Sequence, residues 1–370
     1  MDSMSRRHAL AGGGALVLAG ASASVIGYRR LAATGDYDAA VAATRAALAQ
    51  NPSHRELVRF ATLAPNGHNT QPWRFRIGAD RIDILPDFAR RTPVVDPDDH
   101  HLFVSLGAAA ENLAIAAAES GHPADIAFDP SATGAVRVTM GNGPAVASPL
   151  FGAIRHRQST RSDYDGRPLG ATDLNLLAQA AAVPGVGVVL ITDRARIAKV
   201  TDLVVTGNSA QMGDAAFVRE LKHWLRFNPK EALAKGDGLF SLASGSPVVP
   251  TWLGPTMFDQ FSSAATENEK YARQLRSSAG IVVFAGERAD PEHWVRVGRA
   301  CQRFALQATA MGLKHAFVNQ SVEVPALRPE LAALVGLPGR RPDILMRFGH
   351  GPTLPFSARR PLETVIMAGR

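Results

Sequence analysis

Two stretches of the chain concentrate side chains whose types and spacing could do chemistry. In Pro65-Asn66-Gly67-His68-Asn69-Thr70-Gln71-Pro72-Trp73, amides and a glycine sit between two prolines. Such a loop exposes backbone N–H groups and two short amides, Asn69 and Gln71, on a stiff base. Each amide offers a donor and an acceptor, which suits a flat heterocycle with alternating polar edge atoms. The same residues read equally as a helix stop followed by a proline-stiffened turn. In Arg155-His156-Arg157-Gln158-Ser159-Thr160-Arg161-Ser162-Asp163-Tyr164, three arginines and two hydroxyls fall within seven residues. Guanidinium forks match phosphate oxygens, and hydroxyls add neutral donors. The alternative is a solvated basic helix end.

These stretches need elements to position them. A helical run from Glu56 to Leu63 enters the first, and the alternating Trp73-Arg74-Phe75-Arg76-Ile77 leaves it. Ser53 with Glu56 three places on is a capping-box signature, and the alanine-rich run from Asp36 to Gln50 reads as a further helix. Gly107-x-Ala109-x-Glu111-x-Leu113-Ala114-Ile115-x-Ala117 is matched by Gly298-x-Ala300-x-Gln302-x-Phe304-Ala305-Leu306-x-Ala308 at a constant offset of 191. Both runs end in a glycine, Gly121 and Gly312, and both follow an Asp-Pro. Small-residue helix faces let backbones approach closely, and an internal repeat is the economical reading. Strands are expected at Trp73–Ile77, Arg81–Pro86, Val136–Met140, Val186–Thr192, Ile281–Ala285, Lys314–Asn319 and Ile344–Phe348. Their hydrophobic alternation is short and mixed, which favours an α+β fold over a doubly wound parallel sheet.

The first stretch resembles the P-S-x-x-N-x-Q-P-W loop of the FMN-dependent nitroreductase superfamily, with Asn66 where the family usually has Ser. The second resembles the R-x-S-x-R/K segment of the same proteins. The resemblance implies FMN as cofactor, with Asn66, Gly67, Asn69 and Gln71 at the flavin and Arg157, Ser159 and Arg161 on its phosphate and ring sides. Ser357-Ala358-Arg359-Arg360-Pro361 resembles the family's closing segment, which implies that Arg359 and Arg360 reach the phosphate. Asn319-Gln320-Ser321 resembles the position that faces the reactive side of the flavin, with a plain polar turn as the equal alternative. Each half carries only one of the two flavin motifs. The resemblance therefore implies two tandem nitroreductase-like copies acting as a pseudo-dimer with one complete flavin site.

The chain divides on this reading into a leader (1–30), an N-terminal helix and linker (31–52), a first copy (53–149) and a second copy (150–370). A Gly/Pro/Ser-rich insert at about 227–261 has the length and apolar anchors of a lid, and an ordinary surface excursion is the equal alternative. Leader, two copies and insert together resemble the Acg-like branch of the superfamily.

Composition closes off other classes. The chain of 370 residues is 46% hydrophobic and 20% charged, ordinary for a globular protein. Its formal net charge is +7, but the basic residues are scattered, so nucleic acid is not an expected partner. One cysteine, Cys301, excludes an internal disulfide and a cysteine-based zinc site. No G-x-S-x-G elbow, H-E-x-x-H pair or G-x-G-x-x-G loop is present, and no metal is expected. Ser5-Arg6-Arg7-His8-Ala9-Leu10 and the Gly/Ala-rich run to Gly27 look like a twin-arginine export leader, with Ala21-Ser22-Ala23 as a cleavage site. That predicts a cell-envelope or periplasmic location, a cytoplasmic one if the leader is not functional, and no stable membrane span beyond the leader. The expected function is an FMN-dependent oxidoreductase that serves a small-molecule electron donor and acceptor and is monomeric as an internal pseudo-dimer. The alternatives are a flavin-sequestering protein without turnover and a structural protein without flavin.

Overall fold

The computed structural model describes residues 31–368, so the leader expected over 1–30 lies outside the described residues. Helix α1 (Gly35–Thr44) and helix α2 (His54–Ala61) precede the Pro65–Trp73 loop. Ser53 caps α2 as its sequence predicts: its hydroxyl accepts from Glu56 N at 3.4 Å, and the Glu56 carboxylate accepts from Ser53 N at 3.1 Å. The chain continues through β1 (Trp73–Ile77), β2 (Arg81–Pro86), α3 (His100–Glu119), β3 (Ala124–Asp129), β4 (Ala135–Met140) and α4 (Pro149–Ile154). After α5 (Ala171–Ala180) and β5 (Val186–Ile191) come α6 (Arg194–Gly213), α7 (Ala215–His223), β6 (Leu225–Arg226), α8 (Pro229–Lys235), β7 (Leu239–Phe240), α9 (Gly254–Phe261) and α10 (Ala264–Arg276). The last group is β8 (Gly280–Gly286), α11 (Pro291–Ala310), β9 (Lys314–Phe317), α12 (Gln320–Glu323), α13 (Arg328–Leu334), β10 (Ile344–Gly349) and α14 (Leu362–Val365).

Two four-stranded antiparallel sheets carry the α+β architecture, in the orders β1-β2-β4-β3 and β5-β8-β10-β9. Within each sheet the order is first, second, fourth, third strand, so one topology occurs twice. Helices α3 and α11 occupy equivalent places and pack against one another. They meet at the paired glycines. A methyl carbon on Gly107 would lie 2.0 Å from Val295 O, and one on Gly298 would lie 2.0 Å from Val104 O. Val104 and Val295 are themselves 191 residues apart, so the contact is reciprocal under the repeat. Glu111 ties the pair from the side, accepting from Arg299 Nε at 2.9 Å and Arg303 Nη1 at 2.8 Å. Helix α3 is long and apolar enough to cross a membrane, but it is a core helix, almost wholly buried in the protein.

The insert is longer than expected. Residues 78–80 join β1 to β2, whereas residues 192–279 stand between the equivalent β5 and β8. The Gly/Pro-rich stretch at 227–261 is only its middle; α6, α7 and α10 have ordinary helical composition and carry no mark of insertion. The added helices have a packing consequence. Val282, Phe284, Met346 and Phe348 belong to the core shared with α11, while Ile281, Val283 and Leu345 pack against Ile197, Val200 and Val204 of α6. Strands β8 and β10 are therefore buried on both faces, whereas Arg74 and Arg76 keep one face of β1 in solvent.

Candidate functional site

Three of the five non-glycine residues with positive φ among the described residues fall in the Pro65–Trp73 loop: His68 (45°), Asn69 (54°) and Gln71 (54°). Each costs on the order of 1–3 kcal/mol and persists only where its surroundings over-determine it. Asn66 Oδ1 accepts from Gln71 N at 2.8 Å. Asn69 Nδ2 donates to Gly238 O (3.1 Å) and Ala358 O (3.2 Å), and Gln71 Nε2 donates to Gly236 O (2.8 Å). Arg360 N donates back to Gln71 Oε1 at 2.9 Å. The amides of Asn69 and Gln71 thus bind the loop to the insert and the C-terminal segment. They do not line the cavity, whereas the resemblance implied a direct flavin contact for their side chains. Asn66 and Gly67, with His68, line a cavity instead.

The cavity holds about 590 Å³, within the roughly 300–1,000 Å³ of cofactor and small-molecule sites. One wall is the loop at Pro65–His68; a second is the α3 face His101, Val104, Ser105 and Ala108. The insert supplies an apolar third side, with Phe217, Phe227, Phe258 and Phe261. Arg161, Tyr271, Asn319, Gln320 and Glu323 make its polar end. Arg161 has no acidic partner among the described residues. Asn319 Oδ1 accepts from Leu345 N at 2.9 Å, which fixes the turn after β9, while Gln320 Oε1 is buried without a hydrogen-bond partner among the described residues.

The strand-like run Arg157–Arg161 is held from below by Arg347. This fully buried guanidinium donates to Thr160 O (3.1 Å) and Ser162 O (2.7 Å) and stacks on Tyr164 at 4.0 Å. Ser159 is half-buried and pairs through its main chain with His315 at the edge of the second sheet. Arg157 is 3% exposed. Its Nη2 donates to Leu63 O at 3.0 Å, and its Nε and Nη1 have no partner among the described residues. Arg359 reaches the same carbonyl from the C-terminal segment (Nη2, 3.3 Å) and also donates to Thr62 O (2.6 Å) and Asn69 Oδ1 (2.9 Å). Arg360 turns away, with Nη1 3.7 Å from Asp87 and 3.3 Å from Gln71 O. Arg45, at the end of α1, donates to Arg155 O at 2.7 Å and stacks on Phe356.

Arg45, Arg157 and Arg359 therefore form a buried cationic group with no carboxylate paired to it among the described residues. Burial, and then Arg359, pushes Arg157 down to about 9. Burial pushes Arg359 down to about 10. The charge of Arg157 is felt by the thiol of Cys301, which lines the cavity. Buried cations without counter-charge are costly, and an anion would balance them, although none of the three lines the cavity itself. Sequence reasoning had singled out Arg157, Arg161 and Arg359. It missed Arg45, whose alanine-rich helix gave no signal, and His101 and Glu323, which only the fold brings to one wall.

The histidines around the site set a pH dependence. Burial holds His68 and His101 at about 4 and His315 at about 3, and His100 well below its ordinary value. Below pH 6.5 the unfolded chain takes up protons that these folded histidines refuse, so acid destabilises. Asp96 and Asp343, raised to about 6 by burial, act in the opposite sense between 3.8 and 6. Glu323 and Asp99, also raised by burial, join them, but the four histidines, whose ordinary value lies above that of every carboxyl, dominate between pH 7 and 5. Urea midpoints should fall as pH drops from 7 to 5; a rise would reverse the assignment of neutral buried histidines.

No protein-family model matches the chain. It is 26% identical over 329 residues to the Mycobacterium tuberculosis protein named "Putative NAD(P)H nitroreductase Rv3131", covering 84% of this chain and 90% of that one. It is 23% identical over 326 residues to the same organism's "Putative NAD(P)H nitroreductase acg", covering 84% and 94%. The similarity to these two proteins runs along most of the chain. Among solved structures, nitroreductase A from Vibrio parahaemolyticus overlays with a TM-score of 0.38 at 16% identity, over 60% of this chain and 77% of that one. A nitroreductase with bound FMN from Desulfitobacterium hafniense overlays with a TM-score of 0.36 at 16% identity, over 61% and 100%.

Proposed function

We propose that the chain binds one FMN and is an oxidoreductase that passes electrons from a donor to a small organic acceptor. The observation that carries this reading is the Arg157–Arg359 pair, a buried and a part-buried guanidinium on one carbonyl with no acid paired to them among the described residues. A phosphate would take up the free Nε and Nη1 of Arg157 and balance the charge. Arg161, facing the cavity without an acidic partner, would stand at the ring end, where positive charge stabilises a reduced, anionic ring. The backbone of Asn66–His68 and the Asn319–Gln320 turn would flank the ring. The flavin supplies the two-electron hydride chemistry; the chain clamps, orients and excludes water. In the second half the equivalent loop, Val183-Pro184-Gly185, has no amides, which supports one site per chain and a pseudo-dimer within a monomer. The leader is read as exporting the protein, and fractionation of cells with and without residues 1–30 tests that.

The test of the function is the visible spectrum of the purified protein, taken anaerobically before and after NADPH. A bound flavin that bleaches promptly supports an NAD(P)H-linked reductase, the activity in the relatives' names. A flavin that ignores NADPH but is reduced by dithionite supports sequestration under the insert. No flavin absorbance after incubation with FMN would end the proposal.

A further inference from the structure

The run Asp96-Pro97-Asp98-Asp99-His100-His101 leads into α3, and three of its side chains converge. Asp96, His100 and His101 each bring a nitrogen or carboxylate oxygen within 4.8 Å of the other two. His100 is wholly buried, and neither of its ring nitrogens has a hydrogen-bond partner among the described residues. Its Nε2 lies 3.0 Å from Asp343 Oδ1 without forming a hydrogen bond, and that oxygen too is buried without a partner among the described residues. His101 Nδ1 stands 3.9 Å from Asp96 Oδ1 and 4.0 Å from Oε1 of Glu323, the last residue of α12. Imidazoles and carboxylates thus face one another across gaps too wide for hydrogen bonds. Orphaned buried polar atoms are rare because each carries its full desolvation cost.

We propose that Asp96, His100, His101 and Glu323 form a binding site for one divalent transition-metal ion of the zinc class. Zinc holds nitrogen and oxygen ligands at roughly 2.0–2.2 Å, so two of them lie up to roughly 4.2 Å apart. The gaps of 3.9 and 4.0 Å are of that size. The 4.8 Å limit on the His100 distances asks for a side-chain shift of roughly 0.6 Å at most. Asp96 remains able to ligate although its oxygens accept from His101 N (2.9 Å) and Leu102 N (3.0 Å), because each keeps a second lone pair. Glu323 Oε2 accepts from Gln211 Nε2 at 2.6 Å, which leaves Oε1 to the site. Such outer hydrogen bonds orient metal ligands, and Asp343 stands beside His100 in the same role.

The donor set selects the class of ion. Two imidazoles disfavour magnesium and calcium, and the absence of a thiolate disfavours copper(I). The charge also suits a cation: Asp96, Asp98, Glu323 and Asp343 surround the histidines, opposed by Arg328 and Arg341, and Arg341 is paired with Asp98. His101 and Glu323 line the cavity, which gives the ion its way in. The bound ion would tie α3 of the first half to α12 of the second. Adjacent histidines gave no signal in the sequence, because helical ligand pairs are read at four-residue spacing. The site does not depend on the flavin reading.

The experiment titrates zinc chloride into the untagged full chain in a calorimeter, after treatment with a chelator and dialysis. One Zn²⁺ per chain is expected. H101A and E323Q should each weaken it on the order of 10²-fold, while H223A, which removes an exposed imidazole, should keep the wild-type affinity. No saturable binding, or binding that H101A and E323Q both retain, would overturn the site. X-ray absorption at the zinc edge of the loaded wild type reads the ligands without a substitution, so a folding defect in a variant does not decide the matter. Two imidazoles with oxygen neighbours support the site; one imidazole or none overturns it. Neither readout depends on flavin, so failure here is distinct from failure of the proposed function.

Discussion

Arg157→Met protein is expected to purify without flavin, and to resist urea better than flavin-free wild type. The two effects have opposite signs because, on the proposed function, the guanidinium serves the FMN phosphate at the fold's expense. Its Nε and Nη1 are buried and have no partner among the described residues, and Arg359 stands on the same carbonyl oxygen, that of Leu63. A charged hydrogen bond is worth roughly 1.5–3 kcal/mol, so losing two weakens FMN on the order of 10²-fold or more. Removing an unpaired buried cation while keeping the side-chain volume should stabilise the flavin-free protein by about 1–2 kcal/mol, net of the lost bond to Leu63 O. Flavin titration and urea midpoints measure both. Retained flavin would remove Arg157 from the site, and a lower midpoint would make it a structural group.

Gly107→Ala and Gly298→Ala should each cost about 3 kcal/mol or more, a large part of the roughly 5–15 kcal/mol that holds a domain folded. In either variant the new methyl would sit 2.0 Å from a backbone carbonyl oxygen of the facing helix, which side-chain rotation cannot relieve. The two costs should be nearly equal, because the contacts are related by the repeat. The double variant should cost less than their sum, since helices parted by one methyl have room for the second. Gly213→Ala, at the end of α6 with open space around it, is the control and should shift stability by less than about 1 kcal/mol. Unequal costs at 107 and 298 would mean that the two halves no longer share one packing scheme.

Much of this molecule was legible before folding because it rests on local rules. The capping box at Ser53, the alternation at Trp73–Ile77 and the apolar runs at Val186, Ile281 and Ile344 each mark an element through nearest neighbours. The paired glycines at 107 and 298 marked the repeat, since only residues without a side chain permit that helix contact. Strand β3 was not legible, because Ala124-Asp125-Ile126-Ala127-Phe128-Asp129 puts acids where a strand faces solvent and apolar contrast is weak. The true limits of the insert were hidden for a related reason: its helices are ordinary, and only the sheet order shows that they interrupt a strand pair.

The arginines announced an anion site from their own spacing, since a concentration of guanidiniums is a property of sequence. What those and the amides touch was decided elsewhere. Asn69 and Gln71 are short amides in either reading. The tertiary structure spends them on Gly236, Gly238, Ala358 and Arg360, because those backbones arrive from the insert and the C-terminus and need partners once buried. Folding likewise brings His101 and Glu323, 222 residues apart in the chain, to the lining of one cavity. Residue types and spacing determined which chemistry was available to this chain. Long-range packing decided which groups face the cavity, because partnership and desolvation depend on neighbours that sequence separation does not reveal.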